Sequence, residues 1–309
     1  MEEKIYDTII IGSGPAGLTA AIYTARGAAS TLILAGTSWG GQLMLTSEVD
    51  NFPGFPEGIL GPDLMTKMRD QAVRCGAEFK ASDVTKVDFS KIPLEVYSHE
   101  EKYLAKSVIV STGASIVWLD APGIKELIGR GVASCAPCDA PFYKDKKVAV
   151  VGGGDSAMEE ALYLTKYASE VTIIHRRDAF RASAAMQEKV KANPKIKILW
   201  NSEVVEARGK EKLESLVIKN NQDGSSQEIP FDGVFIAIGH KPQSEIFVGQ
   251  IKADEKGFIS VTGSHSKTST PGVFVAGDVM DAHYKQAITA AGSGCAAAME
   301  ALEYLDSLK

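Results

Sequence analysis

The chain has 309 residues, 45% hydrophobic and 23% charged, an ordinary globular composition that allows one large or two medium domains and excludes a disordered chain. No apolar run is long enough to span a bilayer as a helix, and a net charge of -6 without a long basic block gives no electrostatic footprint for nucleic acid. Met1-Glu2-Glu3-Lys4-Ile5 shows no basic stretch followed by an apolar one, so a cytoplasmic protein is expected.

Asp7-Thr8-Ile9-Ile10-Ile11 reads as a buried strand and Pro15 to Arg26 as a helix. Between them Gly12-Ser13-Gly14-Pro15-Ala16-Gly17 has the spacing of a dinucleotide fingerprint. The first glycine permits the tight turn, the second lets a pyrophosphate approach the backbone, and the third lets the helix pack on the strand. The helix N-terminus then favours the negative charge. Thr31 to Leu34 is the second strand, but Ala35-Gly36 stands where an acidic residue would take the adenosine ribose. Gly40-Gly41-Gln42-Leu43 and Asn51-Phe52-Pro53-Gly54 are glycine loops that either lie against a flavin or are ordinary surface turns. A helix is expected from Leu60 to Arg74, small antiparallel strands from Glu78 to Tyr103, and a buried strand over Ser107 to Ser111 ending in Thr112-Gly113.

A crossover near Trp118 leads to Cys135-Ala136-Pro137-Cys138-Asp139. Two cysteines at this spacing form either a redox pair or half of a zinc site, and no second cysteine pair or histidine pair lies nearby to complete the latter. Asp139 is placed to act as a general acid toward a leaving thiolate, or else to cap the turn. Cys75 and Cys295 are expected as small buried hydrophobes.

Lys147 to Val151 is the next strand, followed by Gly152-Gly153-Gly154-Asp155-Ser156-Ala157 and a helix from Ser156 to Tyr167, a second complete fingerprint. Its second strand, Val171 to Ile174, ends in His175-Arg176-Arg177-Asp178-Ala179-Phe180-Arg181. Three arginines gather where an NAD site would place a carboxylate. Guanidinium groups make forked bonds to phosphate, so this position reads as a clamp for the 2'-phosphate of NADPH, the other reading being a solvated basic turn. Lys195 to Phe235 alternates like strands around a turn at Asn220 to Gly224. Phe235 to Ile238 then ends in Gly239-His240, mirroring Val108 to Gly113. After a second crossover over Lys241 to Phe247, the strand around Val273 to Val275 ends in Gly277-Asp278, whose carboxylate can accept a ribityl hydroxyl. Lys285-Gln286-Ala287 opens a long helix toward Tyr304, its positive end suited to an anionic ring.

The fold class expected is α/β with two Rossmann-like domains, the second inserted into the first, as residues 118–245 within 1–117 and 246–309. Two nucleotide sites on either side of a dithiol imply one flavin, one nicotinamide nucleotide and a disulfide relay.

Gly12 to Gly17, Gly40 to Leu43, Cys135 to Asp139, Gly152 to Ala157, His175 to Arg177 with Arg181, and Gly277-Asp278 together resemble the low-molecular-weight bacterial-type thioredoxin reductases over essentially the whole chain. The resemblance implies FAD in the discontinuous domain, NADPH in the inserted one, a homodimer, thioredoxin or a thioredoxin-like protein as partner, and rotation of one domain against the other. It assigns FAD to Gly12, Ser13, Gly14, Pro15, Ala16, Gly17, Gly41, Gln42, Leu43, Asn51, Thr112, Gly113, Gly277, Asp278, Lys285, Gln286 and Ala287. NADPH falls to Gly152, Gly154, Asp155, Ser156, Ala157, His175, Arg176, Arg177, Arg181, Ile238 and Gly239. Cys135, Cys138 and Asp139 carry the chemistry. Three places depart from the family's pattern: Pro137 and Ala140 at the dithiol, Lys285 where it commonly has arginine, and Asp155-Ser156 in the second fingerprint.

Overall fold

The computed structural model describes residues 4–46, 48–263 and 265–309, so Met1 to Glu3 of the leading stretch lie outside the described residues. Among the described residues there are six α-helices: α1 (Pro15–Arg26), α2 (Gly61–Arg74), α3 (Ala136–Asp139), α4 (Asp155–Leu164), α5 (Ala184–Ala192) and α6 (Ala287–Ser307). The chain divides into two compact units, one of residues 1–115 and 241–309 and one of 116–240. This division falls at 115/116 and 240/241, beside the crossovers read from the sequence near Trp118 and over Lys241 to Phe247. The strands Ala114–Ile116 and His240–Pro242 pair with each other, so backbone hydrogen bonding sets the crossover, a feature that side-chain pattern does not carry.

In the first unit the strand Ile5–Ile11 lies between parallel partners Thr31–Leu34 and Glu101–Val110, with Glu78–Lys80 beyond the former and Val273–Val275 against the latter. A sheet covered on both faces needs continuous apolar strands, which is why these stretches show no polar alternation. Successive side chains point to opposite faces. Ile10, Ile33 and Ile109 face the layer built from α1, α2 and α6. Ile9, Ile11, Leu32, Leu34, Val108 and Val110 face the other, where they meet Val87, Leu94 and Val96 of the antiparallel strands Lys86–Asp88 and Leu94–Ser98. The small-residue run of α6 serves close helix packing, since a Cβ at Gly294 would stand 2.1 Å from the Ala16 carbonyl oxygen of α1. Cys75 and Cys295 are half-buried, not buried.

The second unit repeats the plan. Its parallel sheet runs in the order Val132–Ala133, Gly233–Ile236, Lys147–Val151, Glu170–Ile174, Ile196–Leu199. Val148, Val150, Val171 and Ile173 pack under Met158, Ala161 and Leu164 of α4 and Val190 of α5. Ala149, Val151, Ile174 and Ile236 face Val204, Ala207, Leu216 and Ile218 of the antiparallel strands Ser202–Arg208 and Ser215–Asn220. The turn expected at Asn220 to Gly224 joins Ser215–Asn220 to Ser226–Pro230, the third strand of that sheet. Several element limits differ from expectation, among them the strand expected over Ser107 to Ser111, which spans Glu101–Val110. The helix α4 ends at Leu164 and the strand before Gly239 spans Gly233–Ile236. The last helix begins at Ala287, because Gln286 is its N-cap and Lys285 has a left-handed backbone, φ 49°.

Candidate active site

Cys135 and Cys138 are joined by a disulfide, with Cα atoms 5.3 Å apart. Cys135 is the N-cap of α3, a single turn in which the amides of Cys138 and Asp139 donate to the Cys135 carbonyl at 3.2 and 3.1 Å. Ala136 is fully buried, Pro137 is exposed, and both cysteines are half-buried, so the pair lies at a surface the interior holds in place. Burial pushes the Asp139 carboxyl up to about 6. Tyr143, in the next turn, is pushed up to about 12 by burial and then by the carboxylates of Asp139 and Asp232. Its ring packs edge-on against Phe235 at 5.3 Å, so its phenol is a fixed neutral neighbour of Asp139. The amide of Ala136 donates to the carboxylate of Glu160 on α4.

The first fingerprint is built as its glycines require. A Cβ at Gly17 would stand 2.2 Å from the Gly12 carbonyl oxygen, whereas one at Gly14 would meet no protein atom within 4 Å. The turn's own packing therefore accounts for Gly17, and the space beside Gly14 is left for something else. Gly14 is the N-cap of α1, with Pro15 at its start and no acidic residue in the first turn, so the positive helix end faces that space uncompensated. Ser13 ties the turn down, donating to the Ala35 carbonyl at 2.7 Å and accepting from the Gly40 amide at 2.9 Å. Gly41 lies opposite, its Cβ direction 3.5 Å from the Gly14 Cα, and the Gln42 amide donates to the Ala114 carbonyl beside Gly113. The Thr112 hydroxyl donates to the Gln243 carbonyl. Leu43 packs against the core of this unit. Asn51 donates to Gln286, the N-cap of α6, at 3.2 Å. Asp278, after Gly277, is half-buried and its carboxyl is pushed up to about 6 by burial and by Asp281, against the opposing pull of Lys285. No acidic residue stands at Ala35-Gly36, but Asp83 reaches that strand end through space and accepts from the Thr37 amide at 2.9 Å.

The second fingerprint has the same turn with a different charge. Gly154 is the N-cap of α4 and a Cβ there meets nothing within 4 Å, while one at Gly153 would fall 2.2 Å from the His175 ring. His175 is buried against Phe180 and Trp200, donates from Nε2 to the Ala179 carbonyl at 3.0 Å, and is held below the usual histidine range by burial, with the three arginines acting in the same direction. Arg176, Arg177 and Arg181 are exposed, and among the described residues none forms an ion pair. Their backbone is fixed: the Arg181 amide donates to the Gly153 carbonyl at 2.8 Å and the Asn201 amide to the Arg177 carbonyl at 3.1 Å. The Asp155 carboxylate is engaged within the second unit. It accepts from the Ser183 amide and hydroxyl at 2.9 and 2.8 Å, anchoring the start of α5 and lying below its usual range for that reason. Ser156 follows it, exposed, and Ala157 is buried in the core. Gly239 is open on its Cβ side and Ile238 is exposed, both beyond the strand end at Ile236.

The pyridine nucleotide-disulphide oxidoreductase family matches residues 6–294. The chain is 50% identical over 306 residues to the thioredoxin reductase of Streptomyces coelicolor, covering 98% of this chain and 95% of that one. The chain belongs to the thioredoxin reductases of that family. The bifunctional thioredoxin reductase/thioredoxin of Mycobacterium leprae is 48% identical over 98% of this chain, which spans 66% of that longer protein. The structure of the thioredoxin reductase from Giardia duodenalis superposes with a TM-score of 0.94 at 42% identity, covering 98% of this chain and all of the other. A thioredoxin reductase of this family uses FAD and NADPH. The residues present fit both groups, because each fingerprint leaves open space at a helix N-terminus where its middle glycine meets no protein atom.

Glu160, Tyr143, Gly153 and Ser183 escaped the sequence reading. Each acts through a fold-dependent neighbour, and only Gly153, inside the glycine run, carried any local signal.

Proposed function

We propose that the chain reduces the disulfide of thioredoxin or a thioredoxin-like protein with electrons from NADPH, through FAD and the Cys135–Cys138 pair. The observation that carries this reading is the bonded cysteine pair, at a surface beside a carboxyl raised to about 6, with the second fingerprint directly downstream. The first unit would hold FAD at Gly12 to Gly17, Gly41 to Leu43, Asn51, Thr112, Gly113, Gly277, Asp278 and Lys285 to Ala287. The second would hold NADPH at Gly152 to Ala157, His175 to Arg177, Arg181, Ile238 and Gly239. When bound, the two cofactors supply hydride transfer and pass an electron pair to the disulfide.

The chain's own residues do the rest. Breaking the Cys135–Cys138 bond with two electrons releases two sulfurs, and each that leaves as a thiol takes one proton. Asp139, protonated below about pH 6, is one residue from Cys138 and supplies one of them. Tyr143 stays neutral through this step and keeps the carboxyl in low-dielectric surroundings. In the outward step one thiolate attacks the partner's disulfide to give a mixed disulfide, and the second displaces it. That re-forms Cys135–Cys138 and leaves the partner as a dithiol. Half-burial with Pro137 exposed gives the pair the access this exchange needs.

The same proposal makes the protein a cytoplasmic homodimer. Tyr23 on α1, Val73 on α2, and Ile288 and Met299 on α6 are large apolar side chains left exposed on the first unit, which supports an association through it. Among the described residues no helix is long and apolar enough to cross a membrane.

Anaerobic NADPH is expected to bleach the flavin absorbance of the purified protein, and oxidised thioredoxin to restore it. An enzyme that keeps its flavin oxidised under NADPH, or that makes peroxide steadily from a small dithiol without NADPH, is a dithiol oxidase and not this reductase. Light scattering at the mass of one chain would refute the dimer.

A further inference from the structure

From Ala136 to Ala140 each backbone amide of the redox turn has an acceptor or is missing. Cys138 and Asp139 donate to the Cys135 carbonyl, and Ala140 donates to the Ala136 carbonyl. Pro137 has no amide hydrogen. The Ala136 amide goes to the carboxylate of Glu160. Cys135 is the N-cap, the position whose side chain ordinarily takes the amide of the second or third helical residue. Here those residues are Pro137, which has none, and Cys138, whose amide is engaged by the turn itself. The Ala136 amide is the donor that remains at this end of the helix, and a side chain from another helix takes it.

The consequence lies in the redox balance. Amides at a helix start stabilise a thiolate, and a pair whose reduced form is stabilised becomes an oxidant. Withdrawing those amides works the other way, so that the reduced pair passes its electrons on. Glu160 is well placed to do this constantly, because Ala157, Met158 and Ala161 around it on α4 are fully buried and leave the helix no freedom to shift. The titratable groups facing the turn are Asp139 within it, Glu160 from α4 and Tyr143 from the turn that follows, with the Lys146 ammonium 5.5 Å from the Tyr143 ring centre.

We propose that Glu160 is a positioning residue for the dithiol: it competes with the Cys135 thiolate for the Ala136 amide, and together with Pro137 keeps the reduced pair a ready electron donor. This rests on the reading of Cys135 and Cys138 as the redox pair. Its test needs neither NADPH nor a protein partner, so failure of this inference and failure of the reductase reading are separable.

The FAD-loaded full-length protein is reduced with excess dithiothreitol and desalted anaerobically. Iodoacetamide alkylation of Cys135 is followed against pH by peptide mass spectrometry, and the dithiol–disulfide equilibrium is measured in glutathione buffers. Glu160→Ala releases the Ala136 amide, so alkylation at neutral pH accelerates, by about three- to fourfold for each unit by which a thiol still titrating above that pH becomes more acidic, the gain in thiolate being partly offset by its lower nucleophilicity, and the equilibrium moves toward the dithiol. Glu160→Gln retains an acceptor oxygen and stays near wild type. Pro137→Ala returns an amide to the turn and moves both readouts in the direction of Glu160→Ala, which keeps the test open if that variant does not fold. Wild-type alkylation and equilibrium in a folded Glu160→Ala, or in Pro137→Ala, overturn the proposal. A Glu160→Gln that moves as far as Glu160→Ala also overturns it, because the charge and not the amide would then be responsible.

Discussion

Replacing Arg176 and Arg177 together by alanine isolates the nucleotide choice from the rest of the protein. Both side chains are exposed and in no ion pair among the described residues, while the backbone beneath them is held through Asn201 at Arg177 and Asn221 at Arg176. Removing them costs the fold within about 0.5 kcal/mol, as for other surface substitutions. A hydrogen bond to a charged group contributes about 1.5–3 kcal/mol, and solvent exposure here puts each arginine at the lower end. Since about 1.4 kcal/mol is a factor of ten in affinity, the pair supplies roughly a hundredfold through the 2'-phosphate. The expected result is a rise in KM for NADPH of about that size with kcat within about twofold, and unchanged kinetics with NADH, which lacks the phosphate. Steady-state reduction of thioredoxin with each nucleotide, on wild type and double variant, reads this directly. Equal use of both nucleotides by wild type refutes the clamp, as does a double variant that loses NADH and NADPH activity in equal measure.

Other outcomes follow from the same geometry. Burial raises the Asp139 carboxyl from 3.8 to about 6, so its ionised form opposes folding: the penalty is absent below about pH 4, grows as pH passes through 6 and is full above it. Asp139→Asn should therefore be more stable than wild type at pH 8 by on the order of 2 kcal/mol after discounting for its half exposure, and no more stable near pH 3.5. The same variant should slow reduction of the disulfide and lose the inflection near pH 6; retention of that inflection would remove Asp139 from the proton path. Gly14→Ala should leave the thermal stability of the flavin-free protein unchanged while it fails to retain FAD, because only the cofactor's space is filled; Gly17→Ala should lose both, since its Cβ strikes backbone. Ser13→Ala strips the Gly40 amide and the Ala35 carbonyl of their shared buried partner and should cost about 1–3 kcal/mol in chemical denaturation.

Strand, glycine turn and helix were readable twice over because each is a local pattern: apolar runs, a fixed glycine spacing, a proline or small residue opening the helix. The arginine cluster was readable for the same reason, lying at a known offset from a strand end. What escaped was set by contacts between distant segments. That the Asp155 carboxylate also accepts from Ser183 depends on the second unit's fold bringing the two together. Asp83 reaches the strand end at Gly36 from nearly fifty residues away, and its sequence neighbours gave no sign of it. Glu160 was one helical carboxylate among several until α4 was placed against the redox turn. At the crossovers a short paired ribbon, and no change in composition, marks the chain.

The two halves show how little needs to differ for one architecture to hold two nucleotides. Both place a capping glycine with an open Cβ side at the start of a helix, so the attraction for a pyrophosphate is common to them. At the end of the second strand they part. The first half has Ala35 and Gly36, no charge of its own, and a carboxylate brought in from Asp83. The second has His175, held below the usual histidine range by burial as a packing residue against Trp200, and beyond it three arginines in no ion pair among the described residues. A 2'-phosphate is attracted to the second end and repelled by the carboxylate at the first. Under the proposed function, NADPH placed in the first half would meet the Asp83 carboxylate and lose the arginines, whereas FAD, with no 2'-phosphate, would meet no repulsion at either strand end, so the charges at the two ends discriminate through NADPH alone.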